Sequence, residues 1–138
     1  MDPLAAHDYL PQKEPFQMID FLIGAEENFF KSTFTIRENN VLVHENTFTE
    51  GGMIENMAQT AAAGTGYFYT NQGKEVPVGY IGAVKNIHII DQASVGNHLT
   101  TEVSIKMNIG NASIAEGKIF MGEKLLASCE LTIFVNNN

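Results

Sequence analysis

Apolar and polar residues alternate along most of this chain, and the places where the alternation stops divide it into elements. Pro11 and Pro15 precede the run Phe16-Gln17-Met18-Ile19-Asp20-Phe21-Leu22-Ile23, which stops at Gly24 and reads as a strand entered from a turn. Between residues 28 and 36, Phe30, Ser32, Phe34 and Ile36 fall on one face of a second strand rich in β-formers. The two predict a hairpin. Residues 37–52 place Asn39-Asn40, Glu50 and Gly51-Gly52 around the short apolar piece Val41-Leu42-Val43, and predict a shaped loop that touches the functional site.

The period changes at Met53. From there Ile54, Met57, Ala58 and Ala61 recur at i, i+3, i+4 and i+7, the spacing of one helical face. Ala61, Ala62, Ala63, Gly64 and Gly66 keep the second half of this helix thin, so neighbouring backbone can approach it and a sheet is expected to wrap it. Beyond Tyr67-Phe68-Tyr69 and the polar Asn71-Gln72-Gly73 the pattern is strand-like throughout. It predicts a long strand over 78–90 with a bend near Lys85-Asn86, a turn at Val95-Gly96-Asn97-His98, and strands over 99–109, 112–121 and 124–135. Two strands, one helix and four strands joined by short links make an α+β fold with an antiparallel sheet, in one domain over residues 1–138. The terminal Asn136-Asn137-Asn138 is expected to fray.

Composition narrows the function classes. A chain of 138 residues, with 44% apolar and 17% charged residues, buries roughly two-thirds of its unfolded surface. The net charge of −8 and the lack of a Lys/Arg cluster argue against nucleic acid and anionic membranes, which need concentrated positive charge. An acidic carrier protein would be recognised only at a local basic spot, for which Lys85 is the candidate. The single cysteine, Cys129, lies in an apolar run, forms no intrachain disulfide and reads as a small core residue. The start of the chain has neither a basic n-region nor an apolar h-region, and no stretch reaches the length of a membrane span, so a cytoplasmic location is expected.

The candidate chemistry centres on Glu55, expected in the first turn of the helix, where free amides and partial positive charge favour a carboxylate or a developing oxyanion. Gly51 and Gly52 leave the approach to those amides open, and Gln59, one turn on, is placed to orient the carboxylate or to bind a polar group of a ligand. Position alone favours an ordinary stabilising glutamate of a first helical turn. The setting favours chemistry, because a carboxylate on an otherwise small, apolar helix is not expected to face only water.

Several segments resemble a known family. Tyr9-Leu10-Pro11-Gln12-Lys13-Glu14-Pro15-Phe16-Gln17-Met18-Ile19-Asp20 is similar to the L-P-H-R-x-P-F-L-L-V-D opening of the hot-dog-fold 3-hydroxyacyl-ACP dehydratases. Glu55-Asn56-Met57-Ala58-Gln59 resembles their E-A-M-A-Q helix, and Tyr80-Ile81-Gly82-Ala83 and Val95-Gly96-Asn97-His98-Leu99 resemble a later strand and a P-G-D-x-L turn. The resemblance runs from about Tyr9 to Val135 and implies a curved antiparallel sheet around one long helix, paired subunits, and a site at the dimer interface. It implies no cofactor and no metal. It gives Glu55 the role of acid toward the β-hydroxyl, Gly51 and Gly52 that of amide donors to the thioester carbonyl, and Gln59, Gly82 and Ala83 that of substrate contacts.

In that family a histidine fourteen residues before the glutamate removes the α-proton. Val41 occupies that position here, and no G-H-F-P-G loop is present. The nearest candidate base is His44, eleven residues before Glu55, which a shortened loop would bring into place; as plain residues, His44 is a surface loop side chain and His7, His88 and His98 are structural. A helix motif without the loop histidine is similar to a diverged branch found with aryl-polyene-type pigment biosynthesis. The resemblance therefore implies a dehydratase acting on an acyl carrier protein or CoA thioester. The alternatives are a non-catalytic partner or acyl-binding subunit, as a homodimer or paired with another hot-dog protein, and an acyl thioesterase in which the helix carboxylate activates water or attacks the thioester.

Overall fold

A computed structural model describes residues 1–136 of the chain, Asn136 through its backbone alone. Seven strands form one antiparallel sheet: β1 (Leu4–Ala5), β2 (Phe21–Glu26), β3 (Phe29–Thr35), β6 (Val78–Ile89), β7 (His98–Ile109), β8 (Ala112–Met121) and β9 (Lys124–Asn136). Their order is β1-β2-β3-β7-β8-β9-β6. A small hairpin of β4 (Val43–His44) and β5 (Thr47–Phe48) stands apart, just before the long helix α1 (Glu50–Asn71). The sheet curves round α1, which is the arrangement of the hot-dog fold. Among the described residues no helix is long and apolar enough to cross a membrane.

The four strands after the helix lie within a residue or so of the predicted ranges, and the bend expected near Lys85-Asn86 is a break in register between Lys85 and His88, with Asn86 at positive φ. The first hairpin is also present, but shifted. Residues 16–20 are not strand; β2 begins at Phe21 and continues through Gly24, where the register slips. Phe16 and Met18 of the earlier segment are bonded to helix side chains, and Asp20 bonds β3, its N–H donating to the Thr33 carbonyl. Of the expected frayed tail, Asn136 ends β9, and residues 137–138 lie outside the described residues.

The helix starts earlier than its apolar period indicates. Thr49 caps it, its Oγ1 accepting from the Gly52 N–H at 3.2 Å, which satisfies one of the free first-turn amides. Gly51 and Gly52 are thus helical, and Glu55 sits in the second turn. Three glycines of α1 are required by close approach: a Cβ on Gly52 would lie 2.5 Å from the Phe48 ring, one on Gly64 2.1 Å from the Phe30 ring, and one on Gly66 2.7 Å from the Tyr9 carbonyl oxygen. The small hairpin closes on the helix at Gly52, and β3 and the opening segment close on it at Gly64 and Gly66, within the run of small residues.

The buried face of α1 also differs from the predicted one. Ile54 and Ala58 are half-exposed, while Met53, Asn56, Met57, Gln59, Thr60, Ala63 and Gly64 are buried. Three of these are polar, and each is hydrogen-bonded. Thr60 Oγ1 meets Ser32 Oγ of β3 at 2.7 Å, and Thr101 Oγ1 of β7 donates to Asn56 Oδ1 at 2.5 Å. A core stripe made partly of satisfied amides and hydroxyls carries no apolar signal. Around it, Phe34, Phe48, Met53, Met57, Leu99, Val103 and Leu131 form the main core. Cys129 belongs to the same cluster, and burial pushes its thiol up to about 11.

Candidate functional site

Glu55 projects from the second turn of α1 into a recess of about 500 Å3 whose other walls are Phe16, Met18, Val41 and Leu42. The carboxylate is half-buried, and its Oε1 accepts from Gln59 Nε2 at 3.0 Å. Gln59 holds three groups at once. The same Nε2 also donates to the Phe16 carbonyl at 2.9 Å, and Oε1 accepts from the Met18 N–H at 2.7 Å. Asn56, on the adjacent side of the helix, donates to the Met18 carbonyl at 2.8 Å. The opening segment is therefore fixed to α1 by two buried amides, and one of them also orients the carboxylate.

The opposite wall comes from the loop before β4. Arg37 at its root makes a two-pronged pair with Asp20, at 2.9 and 3.1 Å, and that hydrogen bond is the main reason the guanidinium is held above its ordinary value. Asp20 also accepts from the Thr35 N–H at 2.8 Å. Asn40 Oδ1 then accepts from the Leu42 N–H at 2.8 Å, turning Val41 and Leu42 toward the recess. The loop lines the recess beside Glu55 through its apolar residues Val41 and Leu42.

The predicted residues are not all brought together. Gly51 is exposed near the helix start with open space over its Cα, while the Gly52 amide is already taken by Thr49. His44 lies on the outer hairpin with its side chain 78% exposed, 3.9 Å from Glu45, and does not line the recess. Val41, at the position where the resemblance places a base, does line it. Gly82 and Ala83 lie on β6, Gly82 beneath the Phe134 ring and Ala83 opposite Thr132, away from Glu55's recess. Lys85 on the same strand is paired in register with Glu130. Thr35 Oγ1 and His98 Nδ1 are 2.9 Å apart, and His7 sits 3.1 Å from Asp8, both structural contacts.

The sequence pattern did not single out Phe16, Met18 and Leu42, which line the recess, nor Asn56, which anchors the Met18 carbonyl. The signal for Phe16 and Met18 was present: both stand in the opening motif, but as a strand pattern they read as core. Asn56 had only a weak one, a polar residue on a helix otherwise filled with small side chains.

With this geometry in place, comparison with known proteins separates the lineages. The family described as ApeP dehydratase, ApeP-like, matches residues 4–138. The chain belongs to the ApeP-like dehydratase family. No curated protein matches its sequence. Among solved structures, the ApeP-like chain is similar to the dehydratase heterocomplex ApeI:P from Xenorhabdus doucetiae, at TM-score 0.89 and 16% identity over 98% of this chain and 93% of that one. It also resembles a Streptococcus mutans protein bound to acetyl CoA, at TM-score 0.73 and 11% identity over 94% and 98% of the two chains. A hypothetical thioesterase with coenzyme A from Streptococcus pneumoniae gives TM-score 0.68 and 11% identity over 85% of each. At such identities the solved structures establish the hot-dog fold of this ApeP-like chain, and the family match supplies the dehydratase lineage.

Proposed function

We propose that the chain is a subunit of a 3-hydroxyacyl-thioester dehydratase, with Glu55 as its acid and the thioester carried by CoA or an acyl carrier protein. The observation that carries this reading is the Glu55 carboxylate, held by Gln59 at the edge of a recess whose other walls are apolar. Elimination needs help at both ends, because the α C–H is very weakly acidic and hydroxide is a poor leaving group. A base takes the α-proton, and the carbonyl oxygen gathers charge against an amide at the helix start, where Gly51 is the open position. The Cβ–O bond then breaks as Glu55 gives its proton to the departing hydroxyl, leaving a trans-2-enoyl thioester and water. Gln59 keeps the carboxyl aimed at that oxygen.

In this reading the base comes from a second chain. Val41 is unreactive and His44 lies outside the recess of its own chain, so the α-proton falls to His44 of another copy or to a side chain of a different hot-dog subunit. The strand β6, which carries Gly82 and Ala83, ends the sheet with an apolar edge on which such a chain would continue it. The dehydratase heterocomplex ApeI:P is a precedent for a mixed pair. The test is hydration of a trans-2-enoyl thioester, by the purified chain and by the chain mixed with a histidine-bearing hot-dog dehydratase. Activity that vanishes in Glu55→Ala supports the assignment, and full activity in that variant sinks it.

Val41 facing the recess favours one second reading, a non-catalytic partner that binds the acyl group or supports another subunit. Co-purification with an active dehydratase whose rate is indifferent to Glu55→Ala is its signature. Thiol release from an acyl-CoA by the chain alone would instead mark a thioesterase, for which the CoA-bound hot-dog relatives are the precedent.

A further inference from the structure

One lining residue stands apart from the others. Phe16 and Val41 are 61% and 48% exposed at the mouth of the recess, whereas Met18 is 1% exposed and also belongs to the main core with Phe34, Phe48 and Met53. Met18 is the partition between the recess and the core. Three amide side chains hold it. Its N–H and carbonyl are taken by Gln59 and Asn56 of α1, and its sulfur accepts from Asn40 Nδ2 at 3.3 Å. Through Asn40, which also binds the Leu42 N–H, the thioether is tied to the loop wall. The backbone at residue 18 is thus anchored to the helix, while the unbranched thioether can change rotamer without moving it.

We propose that Met18 is the floor of an acyl-binding recess and sets the length of acyl chain the protein accepts. This rests on the acyl-thioester reading of the recess and adds the element that ends it. The acyl chain passes between Phe16 and Val41, lies alongside Glu55, and stops against the Met18 thioether. The end it accepts is apolar and unsubstituted, because apart from Glu55 at the rim the walls offer only apolar side chains and a polar terminus would be buried without a partner.

The test is the binding of a graded series of saturated acyl-pantetheines, each two carbons longer than the last, measured by calorimetry on the full chain. Saturated thioesters report binding without turnover. For the unaltered protein, affinity rises about fourfold per added methylene until the floor is reached. Met18→Ala removes three heavy atoms and makes room for about two or three chain carbons, so the limit moves up by one member of the series. Leu42→Ala, which widens a wall, weakens all members without moving the limit. Met18→Cys, which removes two heavy atoms and keeps a small apolar side chain, moves the limit up by the same one member and stands in if the alanine variant does not fold. A limit unchanged in the Met18 variants, with the series still bound, overturns the floor and leaves the thioester site intact. If no member binds the unaltered protein, the acyl-thioester reading and the floor fall together.

Discussion

The corner where residues 16–18 meet α1 and the strand β6 at the far edge of the sheet are opposites. At the corner, polar groups are taken deep into the protein and matched: Ser32, Asn56, Gln59, Thr60 and Thr101 are buried and all are hydrogen-bonded. Strand β6 is apolar and uncovered, with Val78, Tyr80, Ile81, Ile87 and Ile89 between 36% and 71% exposed, and among the described residues it pairs only with β9. The buried polar groups of the corner find their partners within this chain. An apolar strand with a free edge is a template for another chain, so β6 is the edge at which a second chain is proposed to join.

Each half of that contrast can be broken separately. The largest effect is expected at β6. Tyr80→Lys together with Ile89→Lys puts two charges on the edge and should weaken self-association or pairing with a hot-dog partner by about 100-fold or more, read by sedimentation at several concentrations, with the helical circular dichroism unchanged. An unaltered association constant would show that β6 is not the joining edge. At the corner, Asn56→Ala leaves the Met18 carbonyl and the Thr101 hydroxyl without their partner and should cost about 3 kcal/mol in denaturant unfolding, with no effect on association beyond that of lost stability. Gly64→Ala drives a methyl into the Phe30 ring and should cost about 2 kcal/mol.

The smallest effect concerns Cys129. Burial holds its folded thiol at about 11, above the 9.0 of an exposed thiol, so the folded chain binds more protons than the unfolded one between those values. Its contribution to stability is therefore complete below pH 9 and is lost as the pH rises toward 11. Cys129→Ala should flatten that part of the stability profile, and the native thiol should stay unreactive toward a thiol reagent at neutral pH until the chain unfolds.

The same contrast explains what the sequence made legible. The strands after the helix were readable because Gly110-Asn111 and Gly122-Glu123 mark turns between alternating runs, and the thin helix was readable because Ala and Gly cluster where Phe30 presses against it. The buried helix face was misplaced, since Asn56, Gln59 and Thr60 are buried by virtue of hydrogen bonds to partners up to 45 residues away. Residues 16–20 read as strand for a related reason: an extended apolar segment looks the same whether its backbone bonds a strand or, as at Phe16 and Met18, helix amides. At the site, Glu55 and Gln59 were legible from the helix motif. The recess was not, because Val41 and Leu42 reach it only through the turn built by Asn40 and the Asp20–Arg37 pair.

The proposed role of Glu55 as the acid of an acyl-thioester site is read from the rate of trans-2-enoyl thioester hydration. In the assembled protein, Glu55→Gln keeps the hydrogen-bonding shape and removes the titrating group, so the rate should fall by about 100-fold or more while thioester binding and the unfolding midpoint stay close to those of the unaltered chain. Hydration at the full rate in Glu55→Gln would contradict the account.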